Sequence, residues 1–279
     1  MLQVKSFSGA THAEQIQNAI NAASVSTTDK TVQLEEFKDY YITAPIIVKK
    51  NVELLFGYGT KLVVGGNVRV LELELNASVT NPYIAIDDPT FDSAVFYLDG
   101  KNKFYNTWNR TSIKNGVIVN WSGSHKGVGI SCFSGGTGHE VSFVNFFDIK
   151  MVGLRRGIEL KATKPTTGMS WVNANRFKDI SFDDCVEMIV IESSETIPNE
   201  CSGNMFTGLQ IQPSAATQII FKVNGQQNRF EGMLWDTHLI TNTGAFVQFT
   251  NTSSYNKIDF NGSVPTAKVS DAGAFNKVL

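Results

Sequence analysis

Cysteine is scarce in this sequence, and its spacing excludes two common kinds of site. The 279 residues include three cysteines, Cys132, Cys185 and Cys201, with no C-x-x-C pair. A zinc site or a disulfide framework needs several closely spaced cysteines, so neither is predicted. The four histidines likewise form no H-x-x-H or H-E-x-x-H pattern. We therefore predict no metal site and no cofactor.

Clustered charge and long apolar runs are also lacking. The 24 Lys and Arg residues are scattered and nearly balanced by 26 Asp and Glu residues, which excludes the basic footprint that a nucleic-acid partner requires. No run approaches the roughly 18 apolar residues of a membrane span, so no membrane insertion is predicted. The N-terminal MLQVKSFSGATHAEQ has no charged segment followed by an apolar one, so it predicts no signal peptide. A protein acting outside the cell would then leave by another route, such as lysis.

Helical periodicity is convincing in one place only, near the N-terminus. Thr11 and Glu14 have the spacing of a capping box, in which the two side chains satisfy free N–H groups at a helix start. The apolar residues that follow recur every three or four positions and form one stripe: Ala13, Ile16, Ile20 and Ala23. The pattern predicts a surface helix that ends near Ala23.

The rest of the chain repeats a short pattern, Asn-x-aromatic-x-x-apolar. Aligning Phe177, Phe206, Phe230 and Ile258 gives offsets of 29, 24 and 28 residues, and the register extends back to Phe146 and Ile113. A second column holds pairs of inward-facing residues, which are Val95/Tyr97, Ile130/Cys132, Ile158/Leu160, Ile189/Ile191, Phe221/Val223 and Val247/Phe249. Repeats of this length with short strands predict stacked coils that bury continuous apolar columns.

The predicted fold is therefore all-β: a single-stranded right-handed parallel β-helix with a short N-terminal capping α-helix. Its right-handedness follows from the general preference of parallel crossovers. We assign residues 1–30 to an N-terminal segment with the capping helix and residues 31–279 to the β-helix. The helix is expected to cover the open end of the first coil, where apolar core and strand edges would otherwise be exposed.

The repeated Asn and the residue two after the aromatic position have structural explanations. Stacked Asn side chains can form an amide ladder, and Asn also tolerates the left-handed conformation of sharp turns. Gly208 and Gly232 occupy the position that Asp179 fills. This predicts a tight turn in which Asp replaces Gly.

Two segments carry a resemblance to a known family. VKSFSGATHAEQIQNAINAA and TVQLEEFKDYYITAPIIVKKNVELLFGYGTKLVV resemble the N-terminal start of pectate-lyase-like right-handed β-helices, the matching parts being Gln15–Ala23, Tyr41–Val48 and Asn51–Leu62. FYLDGKNKFYNTWNRTSIKNGVIVNW is similar to bacteriophage tail-spike and appendage proteins, including the pre-neck appendages of Bacillus phages. The resemblance implies a homotrimer on the virion, with other virion proteins as partners, that binds a bacterial cell-wall or capsular polysaccharide such as teichoic acid.

Three functions stay open at this point: a binding appendage, a depolymerase that cuts the same polymer by hydrolysis or elimination, and an architectural spacer. The fold alone hosts lyases, hydrolases and binders. The polygalacturonase motifs are not present in order, because GHE at Gly138–Glu140 and RGIELK at Arg156–Lys161 precede the pair Asp183–Asp184 and Asn-Thr-Asp is missing. A plant-polysaccharide enzyme is therefore disfavoured.

Two pairs of carboxylates are candidate catalytic groups. The alignment stacks Asp183, Gln212 and Asp236 at one strand end and puts the two Asp residues about 9.6 Å apart at the backbone, near the separation of inverting glycosidases. Glu159 and Glu192, on neighbouring coils, would lie near 5 Å, which suits a retaining pair. Solvated turn and surface residues are the alternative for both pairs.

A long polar connection supplies the candidate substrate-binding residues. Tyr105, Trp108 and Arg110 lie in it, and Gln212 stands between the two candidate Asp residues. Aromatic faces beside planar donors suit sugar rings or anionic polymers, although the same residues are also enriched at subunit interfaces. Trp121 and Trp171 have the same two interpretations.

Overall fold

The computed structural model describes residues 1–105, 110–193, 199–262 and 264–279. Within them the chain forms one α-helix, α1 (His12–Val25), and three parallel sheets that we call A, B and C. Sheet A contains Leu2–Gln3, Thr31–Gln33, Asp39–Ile42, Glu53–Leu55, Lys61–Val64, Ser78–Thr80, Tyr83–Ile86, Ser112–Asn120, Asn145–Val152, Arg176–Asp183, Met205–Gln212, Arg229–Leu234, Lys257–Asn261 and Lys277–Val278. Sheet B contains Ile46–Val48, Leu71–Leu73, Ala94–Asp99, Val128–Ser134, Arg156–Ala162, Glu187–Ser193, Ile219–Asn224, Val247–Phe249 and Val269–Asp271. Sheet C contains Phe104–Tyr105, Glu140–Ser142, Ser170–Asn173 and Asn199–Glu200.

Every described strand pair is parallel, and successive strands of one sheet belong to successive coils. In the longer coils the chain runs through sheet A, sheet B and sheet C in turn before it returns to sheet A one coil further on. In the described ranges four one-turn 3-10 helices lie in the connections between these elements: Val4–Ser6, Gly100–Asn102, Thr237–Leu239 and Thr266–Lys268. This is the right-handed parallel β-helix that the repeats predict, so the predicted fold class is confirmed.

Helix α1 covers the first coils in the expected way. Thr11 Oγ1 accepts a hydrogen bond from the Glu14 N–H at 3.2 Å, and the predicted stripe is buried. The helix continues to Val25, two residues beyond the predicted end. Gln17 also satisfies the edge of sheet B, because its amide donates to Ile47 O at 3.1 Å and accepts from Ile47 N at 2.7 Å. The helix therefore covers the core and also occupies hydrogen-bonding groups of an exposed strand edge.

The aromatic column of the repeats is a stack in the core of the β-helix. Phe146, Phe177, Phe206 and Phe230 are fully buried and pair in register. Their ring centroids lie 4.5, 4.6 and 4.9 Å apart with interplanar angles of 2°, 9° and 10°. The spacing equals that of adjacent strands, so each coil contributes one ring to a continuous stack.

The second apolar column is confirmed except at its first pair. Sheet B aligns Ile130, Ile158, Ile189 and Phe221 as predicted. Phe96 pairs with Ile130, however, so the inward pair of that coil is Phe96/Leu98 and not Val95/Tyr97. Successive side chains of a strand point to opposite faces, so this one-residue shift puts Tyr97 on the outer face of sheet B.

The repeated Asn side chains form a buried amide ladder. Asn175, Asn204, Asn228, Asn256 and Asn276 are joined by Nδ2-to-Oδ1 hydrogen bonds of 3.0, 3.0, 3.0 and 2.9 Å. The Oδ1 atoms of the last four also accept the backbone N–H of the preceding ladder residue, as in Asn204 N to Asn228 Oδ1 at 3.0 Å. The predicted ladder is therefore confirmed, and it binds five coils together through polar groups that would be costly if unpaired.

Left-handed residues mark the turns, although not all at the expected positions. Asp179 (φ 56°) and Gly208 (φ 66°) are left-handed, as predicted for this turn. The ladder Asn residues are not; the left-handed residue is the one before each of them, for example Ala174 and Gln227. Gly232 (φ 159°) pairs with Leu209 after a register shift, so its predicted equivalence to Gly208 is wrong.

Candidate functional site

An aromatic groove of about 600 Å³ lies on the outer face of sheet A in the N-terminal half. Its floor follows from strand register, which places Lys61, Tyr83 and Val117 in one outward-facing row that Asp39 of the preceding coil continues beyond the groove. All four side chains are half-buried. The floor is therefore rigid, because each residue belongs to a hydrogen-bonded strand.

Tyr58 forms one wall of the groove, on the turn between strands Glu53–Leu55 and Lys61–Val64. It is 77% exposed and packs edge-on against Phe37 of the preceding coil, with centroids 5.4 Å apart. The next residue, Gly59, has φ 70°, and a Cβ there would lie 2.8 Å from the Phe37 ring. Glycine at this position thus allows the close approach of the two aromatic side chains.

Trp121 forms the opposite wall, at the start of a loop that Asn120 holds in place. Asn120 Oδ1 accepts from Ser122 N at 3.0 Å, and its Nδ2 donates to Ser124 Oγ at 3.1 Å and Lys126 O at 3.2 Å. The Trp121 ring is 47% exposed, and its centroid lies 6.4 Å from that of Tyr83. A fixed aromatic pair therefore faces solvent across the groove.

The residues that line this groove all belong to the described part of the chain, and Lys61 is the one among them that carries a charge. Its Nζ lies 5.6 Å from the Trp121 ring centroid and 3.2 Å from Asp39 Oδ1. The two partners of this ion pair are 30% and 39% exposed, so the pair contributes only ~0–1 kcal/mol and a ligand can compete for the lysine. Aromatic faces with one cation and several backbone and amide groups suit the apolar face and hydroxyls of a sugar.

The predicted residues Asp183, Gln212 and Asp236 lie in the C-terminal half, away from this groove. Asp183 pairs with Gln212 as expected, but Ile211 pairs with Leu234, so Asp236 lies one position past the equivalent of Gln212 and that part of the alignment is wrong. The cause is the register shift between Phe206 and Leu209. Gln212 Nε2 still donates to Asp236 Oδ2 at 3.0 Å.

Asp184, the neighbour of Asp183, has a partner of its own. His125 Nε2 lies 2.8 Å from Asp184 Oδ2, which joins the loop that carries Trp121 to a turn further along the solenoid. Asp184 and His125 are both left-handed. This contact gives Asp184 a structural role.

Glu159 and Glu192 both contact one guanidinium on the outer face of sheet B. Glu159 pairs in register with Val190, while Glu192 pairs with Lys161, so the two acids are not directly opposite. Arg156 Nη1 nevertheless contacts Glu159 Oε2 and lies 3.8 Å from Glu192 Oε1, and its Nε donates to Glu187 at 2.7 Å. Burial disfavours the charged form of Arg156, but the hydrogen bonds and charges of Glu187 and Glu159 outweigh it and raise the pKa of Arg156.

Glu159 also lines a hollow of about 360 Å³ on sheet B. Tyr97 and Phe133 contribute aromatic surface there, and the Arg69 guanidinium stacks 3.7 Å from the Tyr97 ring centroid. Burial raises the pKa of Tyr97 to about 12. The hollow therefore combines two carboxylates, cations and aromatic groups in one place.

The predicted binding segment is only partly described. Tyr105 is 54% exposed and packs edge-on against Phe143 at 5.3 Å. Arg110 lines a separate polar hollow of about 300 Å³ on sheet A. Trp108 lies outside the described residues.

Most of the groove was missed by sequence reasoning. Tyr58 and Tyr83 belong to the first coils, where the repeat is irregular. Trp121 and Trp171 look alike in the sequence, but in the structure Trp171 Nε1 donates a hydrogen bond to Glu140 Oε2 at 2.9 Å and so has a structural partner. The groove could be recognised from exposed aromatic residues that recur in consecutive coils, but this recurrence becomes visible only when the strand register is known.

Two kinds of site are absent from the described ranges. No group of three or more His, Cys, Asp or Glu side chains there is placed to hold a metal ion. In the same ranges no helix has the length and apolar character to cross a membrane.

Comparison with known proteins finds similarity at a low level. No protein-family model matches the chain, and no curated protein matches it. Two solved structures of PfbA, a surface adhesin of Streptococcus pneumoniae, are similar at 10% identity. The first similarity covers 99% of this chain and 97% of that chain, with a TM-score of 0.26. The second covers 99% of this chain and 93% of that chain, with a TM-score of 0.29. These values carry no argument about function. The strand register itself defines the class, a parallel β-helix.

Proposed function

We propose that this chain is a carbohydrate-binding β-helix that uses the aromatic groove to bind a polysaccharide of the bacterial surface. The observation that carries the proposal is the groove itself: Tyr58, Tyr83 and Trp121 expose aromatic surface around Lys61. Aromatic groups on rigid strands bind the apolar faces of sugars at little conformational cost, because the strand register already fixes them. A pure spacer would have no need to expose them together.

We further propose that the setting is a bacteriophage tail spike or appendage that binds teichoic acid or capsule during adsorption. This part rests on the resemblance of FYLDGKNKFYNTWNRTSIKNGVIVNW to such proteins. It implies a virion location and a homotrimer. Sedimentation of the purified chain tests the trimer, and a stable monomer at micromolar concentration would contradict it.

The groove is tested by two tryptophan variants with matched exposure. Trp121 is 47% exposed in the groove, and Trp235 is 46% exposed outside it. Trp121→Ala should weaken binding to purified Gram-positive wall polymers by roughly twofold to tenfold, the effect of one aromatic contact. Trp235→Ala should bind like the wild type. Equal affinities of the wild type and both variants would refute the proposal that the groove is the binding site.

A depolymerase is the second candidate function. The observation in its favour is that Glu159 and Glu192 meet at Arg156, beside the hollow that Tyr97 and Phe133 line. Release of polymer fragments by the wild type, lost in Glu159→Gln, would establish cutting at this hollow. Loss in Asp183→Asn or Asp236→Asn instead would assign the reaction to the C-terminal pair, and no release at all would leave binding as the function.

A further inference from the structure

We propose that the polar hollow beside the aromatic groove binds an anionic group of the same saccharide, so that the ligand is an acidic polymer. This inference rests on the proposed function, because it takes the groove as the sugar site. The hollow lies on the outer face of sheet A and has a volume of about 300 Å³. Its lining includes three cations, Lys30, Arg110 and Lys114, and one carboxylate, Glu53.

The single carboxylate is hydrogen-bonded to threonine hydroxyls and not to the two lysines of the hollow. Glu53 Oε1 accepts a hydrogen bond from Thr80 Oγ1 at 2.8 Å, and Oε2 accepts one from Thr31 Oγ1 at 3.2 Å. Within the described ranges Glu53 forms no ion pair. Two threonine hydroxyls therefore solvate Glu53, and its negative charge remains in the hollow.

The lysines of the hollow keep their positive charge available. Lys30 Nζ donates to two carbonyl oxygens at the end of α1, Ser24 O at 2.8 Å and Ala23 O at 3.2 Å, which are neutral acceptors. Lys114 has no ion pair with any described residue. An anion in the hollow would meet these charges without first displacing a carboxylate.

The hollow adjoins the groove through a single strand. Ser112–Asn120 contributes Lys114 to the hollow and Val117 to the groove. Between them the chain bends at Asn115 (φ 57°), whose Nδ2 donates to Asn81 Oδ1 of the preceding coil at 3.1 Å. Lys114 of the hollow and Asn115 of the groove are consecutive residues, so the two depressions adjoin and one saccharide chain can reach both.

The charge of this face differs in sign from that of the whole protein. The residues lining the two depressions include four cations, Lys30, Lys61, Arg110 and Lys114, against Glu53, and Asp39 pairs with Lys61 beside them, which leaves a net of +2. The full chain has a formal net charge of -2. A positive face on a slightly acidic protein favours an acidic ligand and repels a cationic one. The shared chemistry is a phosphate or carboxylate attached to a sugar or polyol.

The sheet itself provides a matched control for Lys114. Lys114 pairs with Phe147, and Phe147 pairs with Lys178, so Lys178 lies in the same outward row two coils further on. It is outside both depressions. Lys114→Gln and Lys178→Gln therefore make the same chemical change on the same face of the sheet.

The test measures affinity by calorimetry for poly(glycerol phosphate), polygalacturonate and neutral dextran at low and high salt. Lys114→Gln should weaken binding of an anionic polymer by roughly twofold to fivefold at low salt, the effect of one partly exposed charge contact. The variant should also show a shallower salt dependence. Lys178→Gln should match the wild type. The tighter of the two anionic polymers identifies phosphate or carboxylate as the group bound.

The outcomes separate this inference from the proposed function. If Trp121→Ala weakens binding while Lys114→Gln and the double variant Arg110→Gln/Lys114→Gln bind like the wild type, the hollow is not the anion site and the groove still is the sugar site. Dextran binding as tight as that of both anionic polymers would also overturn the inference. If Trp121→Ala has no effect, both the groove and the hollow that depends on it are refuted. Urea midpoints of each variant exclude unfolding as the cause.

Discussion

Replacing Asn228 by alanine should test how strongly the amide ladder stabilises the solenoid. Asn228 is 1% exposed. Its Nδ2 donates to Asn256 Oδ1 at 3.0 Å and to Cys201 O at 3.2 Å, and its Oδ1 accepts from Asn204 N and Nδ2, both at 3.0 Å. The alanine variant loses all four bonds at once.

The expected cost depends on which groups remain unpaired. Cys201 O still accepts from Gln226 N, and Asn256 Oδ1 still accepts from the backbone N–H of residue 228. The backbone N–H of Asn204 and one Nδ2–H of the same residue are left without acceptors in the core. Each buried orphan costs about 1–3 kcal/mol, so the free energy of unfolding should fall by about 2–6 kcal/mol.

Urea unfolding followed by far-UV circular dichroism measures this change, with midpoints compared because a solenoid need not unfold in two states. Asn261→Ala is the control, since Asn261 is an exposed strand residue of the same type, and it should change stability by less than about 0.5 kcal/mol. Equal midpoints for the two variants would refute the reasoning that the ladder is a main source of stability.

Two further predictions concern packing and pH. A Cβ at Gly157 would lie 2.4 Å from the Phe182 ring and 2.7 Å from Met188 O, so Gly157→Ala should lower the free energy of unfolding, measured in urea, by about 1–3 kcal/mol. Gly65→Ala is the control: a Cβ there would have no atom nearer than 3.8 Å, so this variant should be close to neutral. Because the folded state raises the pKa of Tyr97 to about 12, its contribution to stability is complete below about pH 10 and is lost as the pH rises towards 12. Tyr97→Phe should therefore lose less stability than the wild type across that interval, and parallel losses would contradict the shift.

The core columns could be predicted because their period is regular. Inward residues alternate with polar ones in strands such as Ile158–Leu160, and an Asn two positions before Phe177, Phe206 and Phe230 sets the register from coil to coil. At AVFYL the alternation fails, since Val95 is buried as well as Phe96, and the inward pair cannot be chosen from the pattern alone. The one-residue error at Tyr97 follows from that two-sided burial.

The candidate site depended on information that the sequence does not display. Tyr58, Tyr83 and Trp121 are separated by 25 and 38 residues, and the unequal coil lengths conceal that they become neighbours. Asp236 was misplaced for a related reason, because the register shift after Phe206 shortens that coil by one residue. Side-chain type could be predicted to suit sugars, but position required the strand pairing.

The most direct measurement of the central claim is a crystal structure of the protein with a bound fragment of a wall polymer. We predict a sugar ring against Trp121 and Tyr83 in the aromatic groove, with an acidic group near Lys114. A fragment bound instead at Trp235 and Asp236, or in the hollow beside Glu159, with the aromatic groove empty, would contradict the account.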